Sequence, residues 1–270
     1  MSGLYGPNGD LIEAAPRTFF TVLVSLRNCS QWIGECLDSL LMQTFPSWNA
    51  IVCDDASDDG SLAIIEAKVG ADPRFTIIRN AARLTALPNL MHMTREATGD
   101  HCAILDGDDA FLRPDALDII FAVYNDSAAI CATSGQYVCW PNGRLGHCSG
   151  TFPGNWFDQW PYGHTLTYRR SVCLEMMDRY PQAYLDIATG RPYTTTYDLA
   201  LYYPVAAWAE WNDERIAHIN IPNYLYRRWE QNDDATQAGL AHQTLTAKKI
   251  QLYWCNEMFR HDAMLRAQEA

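Results

Sequence analysis

Apolar positions along the first hundred residues follow two alternating rhythms. Phe19-Phe20-Thr21-Val22-Leu23-Val24 is an unbroken β-branched and aromatic run, the pattern of a strand buried on both faces. Trp32, Ile33, Cys36, Leu37, Leu40 and Leu41 follow. Their three- and four-residue spacing predicts a helix, with Ser30 as its expected N-cap. After the turn at Pro46, Ala50-Ile51-Val52-Cys53 reads as a second strand and Ser61 to Val69 as a helix. Phe75-Thr76-Ile77-Ile78 reads as a third strand, Leu87 to Ala97 as a helix that Gly99 stops, and Cys102-Ala103-Ile104-Leu105 as a fourth strand. Such alternation implies parallel βαβ units with right-handed crossovers. Ligands of these sheets bind at the carboxyl ends of the strands.

Beyond Arg113 the rhythm changes. Residues 114–125 read as helical, and 129–165 as short strands and turns rich in Trp, Gly and Pro, including a Pro141-Asn142-Gly143 turn. Residues 166–180 and 197–211 read as helices with a loop between them, and 236–268 as a long helical region. There is no internal repeat. The expected fold is α/β: a single domain with a mainly parallel central sheet flanked by helices. Residues 1–16, with Gly, Pro and Asn, read as a flexible tail.

Two of the predicted strands end in acidic clusters. Leu105-Asp106-Gly107-Asp108-Asp109 brings three carboxylates within four residues. At about 4 Å and an effective dielectric of about 20, each like-charge pair costs roughly 4 kcal/mol. A divalent cation is the natural offset, and hard oxygen ligands suit Mn²⁺ or Mg²⁺. Taken alone, so short a pattern is more often a solvated acidic turn. The second cluster is Asp54-Asp55-Ala56-Ser57-Asp58-Asp59-Gly60-Ser61. Asp55, Ser57, Asp59, Gly60 and Glu66 match the ligand positions of a calcium loop. Such a loop follows a helix, however, and here a strand precedes it. A strand ending in an acidic turn is better suited to grip a nucleoside.

Composition narrows the partners. The chain has 270 residues, 48% of them hydrophobic, enough for a full core, and a formal net charge of −12. Its few lysines are Lys68, Lys248 and Lys249. The basic stripe that a duplex nucleic-acid partner would require is missing from the sequence. The nine cysteines are scattered, with no C-x-x-C pair, which argues against a disulfide framework or a zinc site and for a reducing, cytoplasmic setting. Neither a secretory signal nor an apolar run of membrane-spanning length is present, so a soluble enzyme is expected.

Together these motifs resemble the family 2 glycosyltransferases of the GT-A fold. The resemblance is carried in order by Ser25-Leu26-Arg27-Asn28, Leu40-Leu41-Met42-Gln43-Thr44, the Asp54–Ser61 turn, Arg79-Asn80 and Asp106-Gly107-Asp108-Asp109. Gly135-Gln136-Tyr137, His164-Thr165-Leu166-Thr167-Tyr168, Tyr197-Asp198-Leu199-Ala200 and Tyr224-Leu225-Tyr226-Arg227 resemble later blocks of a branch of that family. The resemblance implies an inverting, metal-dependent, hexosyltransferase-like enzyme that moves a sugar from a nucleotide-diphosphate donor, expected to be a UDP-sugar. The acceptor would be a hydroxyl on a glycan, a lipid-linked glycan or another molecule. It divides the chain into a nucleotide-sugar-binding half at 17–115, an acceptor-binding half at 116–235 and a C-terminal helical region at 236–270.

Carried over residue by residue, the resemblance implies that Asp55 hydrogen-bonds the donor base, with Ser25, Asn28, Asn80 and Asn89 around the nucleoside. Asp106 and Gly107 would lie near the ribose, Asp106 and Asp108 would hold Mn²⁺ or Mg²⁺, and Asp198 would be the general base. His164 and Trp229 are candidate diphosphate or acceptor contacts; for His164 the alternative is a structural histidine. The numerous tryptophans, among them Trp156, Trp160, Trp208, Trp211 and Trp229, are candidates for stacking on sugars, although core packing is the plainer role.

The chain also departs from the family pattern. Thr85 replaces a common glycine, Tyr197 leaves a single carboxylate where an acidic pair is frequent, and Trp229 stands where many relatives carry a histidine that reaches the metal. Two rival functions are a non-catalytic nucleotide-sugar-binding module and a glycosyltransferase acting on modified DNA. The second would need a local patch such as Arg169, Arg170, Arg227 and Arg228.

Overall fold

The computed structural model describes residues 18–146, 162–229 and 236–268. The predicted N-terminal tail, Trp156 and Trp160 lie outside the described residues. The predicted strands form as β1 (Phe20–Leu26), β2 (Trp48–Asp54), β3 (Phe75–Arg79) and β4 (His101–Asp106). All pair in parallel in the order β3-β2-β1-β4. The connecting helices α1 (Ile33–Leu41), α2 (Ser61–Val69) and α3 (Ala86–Glu96) complete the βαβ units. Side chains of β1 alternate across the sheet: Val22 and Val24 enter the core under α1 and α2, while Leu23 enters the core under α3.

The second half extends the same sheet. After β5 (Ala110–Phe111) and α4 (Ala116–Asp126) come β6 (Ile130–Trp140), β7 (Thr167–Arg169) and α5 (Arg170–Arg179). A short hairpin, β8 (Leu185–Asp186) and β9 (Arg191–Pro192), precedes α6 (Tyr197–Trp211), β10 (Arg215–Arg227) and the long α7 (Gln237–Gln268). The eight-stranded order is β3-β2-β1-β4-β7-β6-β10-β5. β7 runs antiparallel to both β4 and β6, and β5 antiparallel to β10. The remaining strands run one way, so the sheet is mainly parallel and continuous across the two halves.

Four expectations need correction. Ser30 does not cap α1: its amide donates to Asp59 Oδ2 at 2.8 Å, and the carbonyl of Cys29 receives the first helical amides. The stretch at 166–180 opens as strand β7 before turning helical, because Tyr168 and Thr167 fill the gap between β4 and β6. Among the described residues, the stretch after 129 holds one eleven-residue strand, β6, rather than several short ones, and residues 147–161 lie outside the described residues. Gly99 acts by packing rather than as a cap: a Cβ there would come within 2.5 Å of the Thr21 backbone nitrogen. Among the described residues, all cysteines are free, and no helix is long and apolar enough to cross a membrane.

Candidate functional site

The sheet register makes neighbours of the two acidic clusters. Leu26 pairs with Asp54 on one side of β1, and Ser25 with Asp106 on the other. Above these strand ends lies a cleft of about 530 Å³. Ser25, Asp55, Asp106 and Asp108 line it from the strand ends, and Asp198 lines it from the head of α6.

The first acidic cluster is a knot of backbone ties. Asp59 accepts from the amides of Ser30 and Ser61 at 2.8 and 3.0 Å, joining the β1–α1 loop to the start of α2. Asn28 accepts from the amide of Asp58 at 3.0 Å and donates its own amide to Ser57 Oγ. Asp55 holds the loop after β3: Oδ1 accepts from Asn80 Nδ2 at 2.8 Å and Leu84 N at 2.7 Å, and Oδ2 from Thr85 N at 2.9 Å. Burial works against its charge, but the bonds from Leu84, Asn80, Asn89 and Thr85 outweigh it and hold the carboxyl below the usual aspartate range. Thr85, where the sequence lacks the family's glycine, has φ 76° and ψ 166°, a region almost confined to glycine.

The second cluster is stabilised differently. Gly107 crosses the end of β1 so closely that a Cβ would lie 2.5 Å from Leu26 Cβ. Three aromatic side chains from later segments each meet one carboxylate of this loop. The Tyr197 hydroxyl bonds Asp106. Trp229 Nε1 donates to Asp108 Oδ2 at 2.8 Å. The Tyr224 hydroxyl donates to Asp109 Oδ2 at 2.8 Å and accepts from the Asp106 amide at 3.2 Å. Asp109 also receives the Arg227 amide at 2.7 Å, and the buried Arg227 guanidinium clamps the Asp108 carbonyl to Glu35 on α1. Hydrogen bonds thus offset part of the predicted repulsion.

The remainder of that repulsion shows in the protonation preferences. Burial, then the charge of Asp108, push Asp106 up to about 7. Burial also raises Asp108 and Asp109. Asp198 rises to about 6 through burial, opposed by the Leu199 amide at 2.9 Å. His164 lies stacked on Tyr224 and Tyr226 with ring centroids 4.9 and 5.3 Å away. Burial lowers it to about 4, so at neutral pH its imidazole is uncharged.

Among the sequence-derived candidates, Ser25, Asp55, Asp106, Asp108, Asp198 and His164 line the cleft. Asn28, Asn80, Asn89, Gly107 and Trp229 do not: Asn80 donates to Asp55 and to Asn89, Trp229 donates to Asp108, Gly107 packs on Leu26, and Asn28 is bonded to Ser57 and Asp58. Sequence reasoning missed Tyr197, Tyr224 and Arg227 as ligands of the acidic loop, and Leu240, Gln243, Thr244 and Ala247 of α7 as part of the cleft wall. Their signal was the 240/243/244/247 spacing, a single helical face. The suggested arginine patch is not formed as a free surface. Arg169 pairs with Glu214, Arg170 donates to the carbonyls of Thr94 and Arg95, and Arg227 is buried.

Asp106 and Asp108 offer hard, under-neutralised oxygens of the kind a divalent cation takes. Asp109 has its oxygens engaged by Tyr224 and Arg227. Among the described residues there is no cluster of three or more His, Cys, Asp or Glu arranged to hold a metal. A cation here would complete its shell with substrate phosphate and water, the usual habit of Mg²⁺.

Residues 21–185 match the family model described as Glycosyl transferase family 2. The chain belongs to that family. The putative glycosyltransferase EpsE of Bacillus subtilis (strain 168) is 36% identical over 90 residues, which cover 33% of this chain and 32% of EpsE. This family 2 chain therefore aligns with about a third of that relative's length. S. aureus TarS 1–349 in complex with UDP-GlcNAc superimposes with a TM-score of 0.59 at 19% identity, over 79% of this chain and 60% of that one. Mannosyltransferase PcManGT from Pyrobaculum calidifontis in complex with GDP-Man and Mn²⁺ gives a TM-score of 0.52 at 16% identity, over 95% of this chain and 80% of that one. The fold of this family 2 member is GT-A.

Proposed function

We propose that this family 2 glycosyltransferase moves a sugar from a UDP-sugar to an acceptor hydroxyl with inversion, using Mn²⁺ or Mg²⁺ at Asp106 and Asp108 and Asp198 as general base. The reading rests on one observation: Asp55, Asp106, Asp108 and Asp198 line a single cleft. An ionised carboxylate held by fixed donors, as Asp55 is, suits the imide hydrogen of uracil. The UDP-GlcNAc carried by TarS supports that donor class, and the Mn²⁺ of PcManGT supports the cation.

In this mechanism Asp198 takes the proton of the acceptor hydroxyl as its oxygen bonds to the anomeric carbon. The bond from that carbon to the diphosphate oxygen breaks on the opposite face, and its electron pair leaves with the nucleotide. One displacement inverts the anomeric centre once. A bound divalent cation supplies charge stabilisation for the departing diphosphate. Asp198, raised to about 6, is ionised at neutral pH yet basic enough to take a proton.

The test is nucleotide release from a set of UDP- and GDP-sugars, with Mn²⁺ and with excess EDTA. Release from a UDP-sugar that EDTA and Asp108→Ala both abolish is the expected result. Full turnover in EDTA overturns the metal assignment. UDP binding without release from any donor favours a binding module instead.

A further inference from the structure

The C-terminal helix has one continuous face with two duties. Ile250 and Trp254 are fully buried against the core, and α7 is pinned there by Lys249 to Asp186 at 2.6 Å and by Gln251 Nε2 to the Tyr203 hydroxyl at 3.0 Å. Stepping back by three and four residues, the same stripe leaves the core and becomes cleft wall at Ala247, Thr244, Gln243 and Leu240. Asp198 lies in that same cleft. Leu240 is 53% exposed although it belongs to the cleft. The Thr244 hydroxyl donates to the Leu240 carbonyl at 2.9 Å, leaving its oxygen lone pairs available. The Gln243 side-chain amide has no hydrogen-bond partner among the described residues.

We propose that the leading turns of α7 are the acceptor-side wall of the cleft, and that Gln243 selects a saccharide acceptor by hydrogen-bonding its hydroxyls. This rests on the glycosyl-transfer reading above. A primary amide both donates and accepts, as a pair of sugar hydroxyls requires. Leu240 and Ala247 flank it with apolar surface that fits the C–H face of a pyranose ring. Among the described residues of α7 that line the cleft, none is a lysine or arginine that could read a phosphate. Among the described residues the arginines of the cleft, Arg27 and Arg83, come from the ends of β1 and β3. His164 is uncharged at neutral pH, as described above.

The experiment measures UDP release from a UDP-sugar in the presence of methyl β-glycosides of glucose, galactose and N-acetylglucosamine, and separately of glycerol 1-phosphate. UDP affinity is followed by calorimetry. In the parent protein at least one glycoside should accelerate release saturably. Gln243→Ala should raise its half-saturating concentration about tenfold, the effect of one lost hydrogen bond, while UDP affinity stays within twofold, which also reports an intact fold. Leu240→Asp should raise the half-saturating concentration as well. Equal half-saturation in parent and Gln243→Ala overturns the proposal, as does acceleration by glycerol 1-phosphate but by no glycoside. If Gln243→Ala loses UDP affinity, the wall belongs to the donor. A parent that neither binds UDP nor releases it from a UDP-sugar rejects the underlying donor reading, and the acceptor assignment with it.

Discussion

Asp55 and Asp198 are two aspartates lining one cleft, and their surroundings push them in opposite directions. Asp55 is wrapped by donors from Asn80, Leu84 and Thr85 and is held in the ionised form. Asp198 has the Leu199 amide and little else to oppose burial, and its proton affinity rises. A carboxylate that never changes charge suits recognition, whereas one that is costly to ionise suits proton transfer. In the proposed mechanism, that contrast makes the Asp55 end of the cleft a rigid mould for the donor and the Asp198 end a reactive surface for the acceptor. Asp106 and Asp108, bonded but under-compensated, stand between the two.

Removing the reactive partner should have the largest effect. Asp198→Asn keeps the shape and deletes the proton acceptor, so transfer should fall about 10²–10⁴-fold with UDP affinity nearly unchanged; steady-state rates and calorimetry read both. If UDP binding is lost instead, Asp198 belongs to the donor site. Breaking the mould comes next. Asp55→Ala should weaken UDP binding by about 1.5–3 kcal/mol, the range for a hydrogen bond to a charged group, and amide exchange at Leu84 and Thr85 should accelerate, because both amides lose their acceptor. Equal UDP affinity in parent and variant would break the comparison at its donor end.

The opposite protonation preferences also predict opposite pH signatures in the metal-free protein. Asp106 and Asp198 are raised to about 7 and about 6. The folded state therefore binds protons more tightly than the unfolded chain. Their stabilisation is complete below the ordinary aspartate range and is lost as pH rises through those values, by up to about 1.4 kcal/mol per pH unit for each group. Asp55 is lowered, so its contribution is present at neutral pH and lost only in strong acid. Denaturant unfolding between pH 5 and 8 in EDTA should show stability falling with pH, and Mn²⁺ should reduce the slope. A slope that Asp106→Asn leaves unchanged would show that other groups cause it. The smallest effect is at the backbone. Thr85→Gly should stabilise the protein by about 1 kcal/mol in urea unfolding, through relief of the positive φ, without altering transfer.

The donor end was the more legible in the sequence. Val22, Val52 and Ile104 mark strands by unbroken apolar runs, and acidic residues directly after such strands must fall at their carboxyl ends. Residue type did not reveal which polar side chains touch a ligand and which hold those that do. Asn28 and Asn80 are as polar as Ser25, yet their partners are Asp58 and Asp55. Nor did it reveal β7, whose three residues are too short for a periodic signal, or the thirteen-residue β10, interrupted by Pro222 and by register shifts against β6. The role of α7 in the cleft was hidden because Leu240, Gln243, Thr244 and Ala247 match a helix rhythm without forming a strongly apolar stripe. Tyr197 and Trp229 were noted as departures from the family pattern, and both donate to the acidic loop.

The clamp formed by Tyr224 and Arg227 has a bearing on how the chain can be cut and recombined. The two-residue strand β5 finds its partners at Tyr224 and Leu225, and Asp109 draws both of its donors from β10. A fragment ending near residue 115 would retain β1 to β4 while leaving β5 without its partner strand and Asp109 without either of its donors. The N-terminal half of the sheet is therefore not a transplantable cassette. Chimeras that graft a foreign C-terminal half onto it must also import a tyrosine and an arginine at the positions of Tyr224 and Arg227.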